Sequence, residues 1–114
     1  MSESNPIAAT ENLPDGVCMK LTGEIDMSQA PAVQVGLNSA AKGKPARLLV
    51  DLSDVSYMDS SGVAMLVQAF QAQRKHQGKM ILFGLQPKVR SIFEIAKLDL
   101  VFTIVDDREA AVSA

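Results

Sequence analysis

Residues 46–66 read ARLLVDLSDVSYMDSSGVAML. The opening ARLLVDLS is apolar at both alternating sets of positions, the pattern of a central strand covered on both faces. Its carboxyl end delivers Asp51, and residues 53–59 then read as a loop. Asp59 or Ser60 starts a helix predicted over 61–77, with Val63, Leu66, Val67, Phe70 and Arg74 at i, i+3, i+4, i+7 and i+11. A buried strand that feeds a helix across a short loop is half of a βαβ unit, and this decides the class as α/β.

The same alternation extends in both directions. Upstream, PIAAT predicts a short edge strand and ENLPDG a turn, in which Pro-Asp-Gly supplies a fixed φ and a residue free to take positive φ. In VCMKLTGEI, Val17, Met19 and Leu21 alternate with Cys18, Lys20 and Thr22, a half-buried strand ending near Gly23. DMSQAPAVQVGLNSAAKGK predicts a helix capped by Asp26 or Ser28, with Pro31 in its first turn, Ala30, Val33, Leu37 and Ala40/Ala41 inward, and Gly43 as its stop. Downstream, Gly78 ends the second helix. KMILFGL is another buried strand, PKVRSIFEIAKL a helix with Val89, Ile92, Phe93 and Ala96 on one face, LVFTIV a last strand and DDREAAVSA a short acid-led helix. The order β-β-α-β-α-β-α-β-α implies right-handed crossovers and a mostly parallel, mixed sheet. Residues 1–5 are polar and expected to be disordered, leaving 6–114 as one domain.

Composition narrows the function. The 114-residue chain can bury roughly two-thirds of its unfolded surface, enough for one core. A formal net charge of −2 argues against nucleic acid as a partner. Cys18 is the one cysteine and His76 the one histidine. This excludes an intrachain disulfide, most zinc sites and a Ser-His triad within the chain. No apolar run approaches the roughly 18 residues of a membrane span, and MSESNPIAATENLPDG lacks the basic head and apolar stretch of a secretion signal, so a cytoplasmic location is expected.

Sites in such sheets collect at the carboxyl ends of parallel strands. The Asp51–Gly62 segment is so placed, at the N-terminus of the longest predicted helix, where amides and the macrodipole favour an anion. Residue types alone leave DSSG either as a simple helix cap or as a phosphate acceptor. A serine nucleophile lacks a base, since His76 lies about 24 Å along the helix from Ser60 at 1.5 Å per residue, and is expected on the solvated surface. Asp51 and Asp54 suggest metal-dependent phosphotransfer, but the acidic pair and lysine of a receiver domain are not evident. The six methionines, irregularly spaced, read as core filler, with Met58 beside the loop as one that could be exposed. Arg74, Lys75 and Lys79 are read as a solvated helix end.

LTGEID, LLVDLSDVSYMDSSGVAML and GKMILFGLQPKVRSIFEIAKLDLVFTIVDD together resemble the STAS domain of bacterial anti-sigma factor antagonists, from about Val17 to Ala111. The resemblance implies a partner switch. In that family the unphosphorylated protein binds an anti-sigma factor that is also a serine kinase, and a target is released. Phosphorylation of the first serine of DSSG, here Ser60, ends binding, and a metal-dependent serine phosphatase restores it. Asp59, Ser61 and Gly62, with Asp26 and Met58 nearby, would form the partner-binding surface. The chain itself would be no enzyme and hold no cofactor, since ATP and Mg²⁺ belong to the kinase. It would be monomeric when free and not inserted in a membrane. STAS domains also serve as transporter subunits and in switches with a non-sigma output.

Overall fold

A computed structural model describes residues 5–114. Of the segment expected to be disordered, residues 1–4 lie outside the described residues. Asn5 is placed, and its Oδ1 accepts from the Ile7 amide at 2.9 Å. The elements are β1 (Ile7–Leu13), β2 (Gly16–Ile25), α1 (Ala30–Lys42), β3 (Arg47–Met58), α2 (Ser60–Arg74), β4 (Lys79–Phe83), α3 (Pro87–Ile95), a 3-10 turn (Leu98–Leu100), β5 (Thr103–Val105) and α4 (Arg108–Ser113). This is the expected order. The five strands lie side by side in sequence order, β1 antiparallel to β2 and all later neighbours parallel.

A sheet wound in one direction by right-handed crossovers carries its crossover helices on one face. The packing agrees. Val33 and Leu37 of α1, Met65, Leu66 and Ala69 of α2, and Val89 and Phe93 of α3 share one core with Met19, Leu21, Leu48, Val50 and Leu82. Phe102 joins it edge-on to Phe70 and Phe93, at centroid distances of 5.2 and 5.6 Å. The other face carries a smaller cluster of Cys18, Leu49, Ile81 and Phe83 under Ala111 of α4. Burial in this cluster raises the Cys18 thiol pKa. Polar clasps hold α4 down: Arg108 meets the Glu11 carboxylate at 2.8 Å, and Arg47 donates to the carbonyls of Ala111, Val112 and Ala114 while pairing with Asp15.

Several boundaries depart from the sequence reading. β1 runs on to Leu13 because Glu11 and Asn12 pair with Cys18 and Val17, leaving Pro14-Asp15 as the turn. Gly16 is needed there for close approach rather than for positive φ: a Cβ would lie 1.9 Å from the Arg47 carbonyl oxygen. Gly23 (φ 85°) does not end β2 but sits at a register shift within it, a bulge that glycine accommodates. Neither Asp26 nor Ser28 caps α1, whose N-cap is Gln29. The second helix ends at Arg74 instead of 77. Its buried line is Gly62, Met65, Leu66, Ala69 and Gln73, and the predicted stripe of Val63, Val67 and Phe70 lies at its margin. Gln73 was invisible as a core residue because it is polar. Its Nε2 donates to the Pro45 and Lys79 carbonyls and so ties the helix end to the starts of two strands. His76 is half-buried rather than solvated, its Nε2 3.0 Å from the Pro45 oxygen. Lys97 (φ 61°) separates α3 from the 3-10 turn, shortening both the predicted helix and β5.

The Gly16 contact predicts that Gly16→Ala, by forcing backbone apart, lowers stability by about 3 kcal/mol. Gly43→Ala, whose Cβ meets nothing closer than Ala40 O at 3.6 Å in an ordinary helical conformation, should be neutral or slightly stabilising. Guanidinium midpoints of the two variants would separate them, and equal midpoints would refute the packing role of Gly16.

Candidate functional site

The candidate site is built on an extension of the sheet that the sequence reading took for a loop. β3 continues from Asp51 to Met58, paired with β2 through Thr22–Asp54, Gly23–Val55, Glu24–Tyr57 and Ile25–Met58. Between Lys20–Asp51 and Thr22–Asp54, and again between Gly23–Val55 and Glu24–Tyr57, β3 carries one residue more than β2. At the first irregularity the Asp51 carboxylate accepts from the Ser53 amide and hydroxyl, at 2.9 and 2.6 Å. Leu52, Val55 and Met58 are consequently buried at every third position rather than every second.

The chain then enters α2 through a side-chain cap. Asp59 is the extended N-cap (φ −106°, ψ −172°), and its Oδ1 accepts from the amides of Ser61 at 2.9 Å and Gly62 at 3.3 Å. Its own amide donates to the Ile25 carbonyl at 3.3 Å, which joins the cap to the end of β2. Gly62 is the seat. A Cβ there would lie 2.7 Å from Met58 Cγ and 2.9 Å from the Ile25 oxygen. Just past the end of β2, the Asp26 carboxylate accepts from the Ser28 amide and hydroxyl at 2.9 and 2.7 Å and from the Gln29 amide at 3.3 Å. These bonds, the Ser28 hydroxyl foremost, hold the Asp26 pKa below its ordinary 3.8.

The structure brings Asp26, Asp59, Ser60, Ser61 and Gly62 together, but with unequal access. Ser60 is exposed, Asp26, Asp59 and Ser61 are half-buried, and Gly62 is buried. Met58, whose exposure the sequence left open, is 1% accessible and belongs to the core. Adjacent strand residues point to opposite sides, so the exposed apolar residue is Tyr57 (49%), accompanied from the β2–α1 loop by Met27 (74%). Sequence reasoning missed both. Recognising β3 through Met58 would have turned Tyr57 outward. A cleft of about 260 Å³ beside Asp26 is lined by Pro6, Thr22, Gly23, Glu24 and Gln29. Among the described residues, the ion pairs are Lys20–Asp54, Arg47–Asp15, Arg90–Glu94 and Arg108–Glu11, so neither Asp26 nor Asp59 has a cationic partner. Asp51 and Asp54, considered as metal ligands, are committed to Ser53 and Lys20, and no group of three or more ligating side chains is assembled among the described residues.

Fold and site together define a class: small α/β domains with a sheet wound in sequence order and a serine-bearing cap at the junction of a long strand with its crossover helix. The STAS domain profile matches residues 7–111, and the chain belongs to the STAS domain family. It is 37% identical over 90 residues to an anti-sigma-B factor antagonist of Listeria monocytogenes, covering 79% of each chain. It is 33% identical over 94 residues to the anti-sigma-B factor antagonist of Bacillus subtilis, covering 82% of this chain and 85% of that one. A solved anti-sigma factor antagonist from Mycobacterium paratuberculosis has the same fold, with a TM-score of 0.87 at 24% identity over 99% of this chain and 97% of the other.

The seat and the cap predict different costs. Gly62→Ala should destabilise by about 1–3 kcal/mol through overpacking and Asp59→Ala by about 1 kcal/mol through loss of the cap, while Ser61→Ala stays within about 0.5 kcal/mol. Denaturant midpoints test the ranking. For Asp26, a depressed folded-state pKa means that its stabilisation is present above the ordinary value of 3.8 and lost as pH falls through the lower folded value. An NMR titration should place the Asp26 midpoint below 3.8, and Ser28→Ala should move it upward. An unmoved midpoint would refute the bond as its cause.

Proposed function

We propose that this chain is an anti-sigma factor antagonist in a partner-switching pathway, with Ser60 as its phosphorylation site. The unphosphorylated form binds an anti-sigma factor that is also a serine kinase and so frees that factor's target. Phosphorylation of Ser60 ends the complex, and a metal-dependent serine phosphatase restores it. ATP and Mg²⁺ belong to the kinase, and the exchange takes place in the cytoplasm.

The observation that carries this reading is the access of Ser60 on a capped, seated helix start. Ser60 is exposed at the first position of α2, whereas Ser61 is half-buried with its amide bonded to Asp59. This favours Ser60 over Ser61 as the residue a kinase reaches. Asp26, Asp59, Ser61 and the seat at Gly62 shape the surface presented with it. Met58 supports that surface from beneath.

The cap also determines how a phosphate would act. A phosphoserine adds about −1.5 to −2 charges. At an open helix N-terminus the amides would take up that charge. Here Asp59 already accepts from the Ser61 and Gly62 amides, and no lysine or arginine pairs with either nearby carboxylate among the described residues. The dianion therefore stays outward and solvated. A docked partner would have to bury it unpaired, which is costly. The switch requires no refolding of the domain.

Ser60→Ala should keep full affinity for the anti-sigma factor co-purified with it, and Ser60→Asp should bind at least about tenfold more weakly, a difference of 1.4 kcal/mol. Both should unfold at the wild-type midpoint. Calorimetric titration measures the affinities, and mass spectrometry after incubation with the kinase and Mg·ATP locates the phosphate. Equal affinities, or phosphate on another residue, would overturn the assignment.

A further inference from the structure

Charge is divided between the two ends of the sheet. Asp26, Asp59, Asp106 and Asp107 follow directly on the carboxyl ends of β2, β3 and β5. At the amino ends of the parallel strands the balance reverses. Residues 42–47, KGKPAR, and 74–79, RKHQGK, contain six of the chain's eleven lysines and arginines, its one histidine and no acid. Arg47 pairs with Asp15. Lys42, Lys44, Arg74, Lys75 and Lys79 are exposed, and none of them is in an ion pair among the described residues.

The fold ties these two segments into one surface. Gln73 Nε2 donates to the Pro45 and Lys79 carbonyls at 3.2 and 2.8 Å, and the Lys79 amide donates to the Ala46 carbonyl at 2.8 Å. The helix macrodipoles account for Lys42 and Arg74. They do not account for Lys44 and Lys79, which lie outside the helices. Cations gathered without acids repel one another, and a patch of one sign attracts a partner of the other.

An apolar rim adjoins the cations. β5 enters the sheet with Thr103 opposite Ile81, and two residues earlier on each segment stand Val101 and Lys79. Val101 is 50% accessible and Leu100 81%. α3 runs back from the carboxyl end of β4, so its last residue, Ile95, reaches this same end, 83% accessible. Lysine interleaved with exposed aliphatic side chains suits a lipid interface, where the apolar groups enter the headgroup layer and the ammonium groups stay among the phosphates. Recognition of nucleic acid or of paired carboxylates favours the planar fork of arginine. Here four of the five exposed cations are lysines, and the guanidinium of Arg74 lies over the Phe70 ring at 5.8 Å.

We propose that the amino end of the sheet is a peripheral contact surface for an anionic lipid leaflet, with Lys75 and Lys79 meeting the headgroup phosphates and Leu100 and Ile95 entering the headgroup layer. The acidic end is repelled by the same leaflet, so the charge division fixes the orientation of the bound chain. Ser60 lies about 21 Å from Arg74 along α2 at 1.5 Å per residue, and therefore faces away from the lipid. Such a contact is independent of the function proposed above and leaves Ser60 accessible.

The test is co-sedimentation of the intact chain with vesicles of phosphatidylcholine, with and without phosphatidylglycerol. The chain should partition onto the anionic vesicles, less so as salt is raised, and not onto the neutral ones. Lys75→Gln and Lys79→Gln should each lower the partition coefficient about fivefold, whereas Lys88→Gln, the same loss of charge at the opposite end, should leave it within about twofold. Leu100→Ser should also lower it about fivefold or more. Thermal unfolding confirms that all four variants fold. Equal partition onto both kinds of vesicle, or onto neither, would overturn the proposal. So would equal losses from Lys79→Gln and Lys88→Gln. An unchanged Leu100→Ser would reduce the contact to diffuse charge attraction and overturn the lipid assignment. If polyglutamate or a single-stranded oligonucleotide binds the chain and anionic vesicles do not, the basic end serves an acidic protein or a nucleic acid, and the proposal fails.

Discussion

The pairing of β2 with β3 continues beyond the point where β4 gives out. The β3–β4 ladder ends at Asp51–Phe83, yet β3 runs on beside β2 to the Ile25–Met58 pair. Two extra residues on β3 bend and twist this extension, and they bring the Ile25 carbonyl within reach of the Asp59 amide. Gly62 can then sit directly on Ile25 and Met58. The start of α2 is therefore positioned by a strand ladder and not by a loop. Removing the ladder would leave Asp59 with amides to cap but nothing to hold the cap against the sheet.

A site fixed in this way has little compliance. Asp59 is bonded on both sides, through its carboxylate to α2 and through its amide to β2. Asp26 is held by three bonds to the Ser28 and Gln29 groups. Added charge at Ser60 cannot be absorbed by rearranging either carboxylate without breaking the Asp59 cap or the Asp26 bonds to Ser28 and Gln29. Its effect must appear in whatever lies against the surface. Under the function proposed above, that rigidity would make a phosphate at Ser60 legible to a bound partner.

The extent to which this was readable from sequence follows from periodicity. Arg47–Asp51, Lys79–Phe83 and the inward residues of α1 obey the period of their element, and they were assigned correctly. Residues 53–59 read as a loop because the two bulges turn Leu52, Val55 and Met58 inward at a spacing of three, matching neither two nor 3.6. That reading leaves the burial of Met58 open and overlooks Tyr57. The face of α2 was displaced because its first and last buried members, Gly62 and Gln73, are not apolar side chains, and hydropathy cannot register a glycine seat or an amide clasp. Asp59 and Ser60 were identifiable because capping chemistry is local. Their support by Ile25 is a contact between distant segments and leaves no local trace.

The position of charge in the two helices links the site to its surroundings. Lys42 and Arg74 stand at carboxyl ends, where they complement the helix macrodipoles. Between them and Ser60 the helices offer no other charge. A helix of 13 residues spans about 20 Å, more than two screening lengths at physiological ionic strength, where the Debye length is about 8 Å. A phosphate at the start of α2 therefore has no fixed charge on these helices within reach to offset it. On a surface laced with lysines and glutamates the same group would be one term among many. Beside Ser60 stand the carboxylates of Asp26 and Asp59, without cationic partners among the described residues, so a phosphate there would deepen an anionic patch that no charge within reach on the two helices offsets.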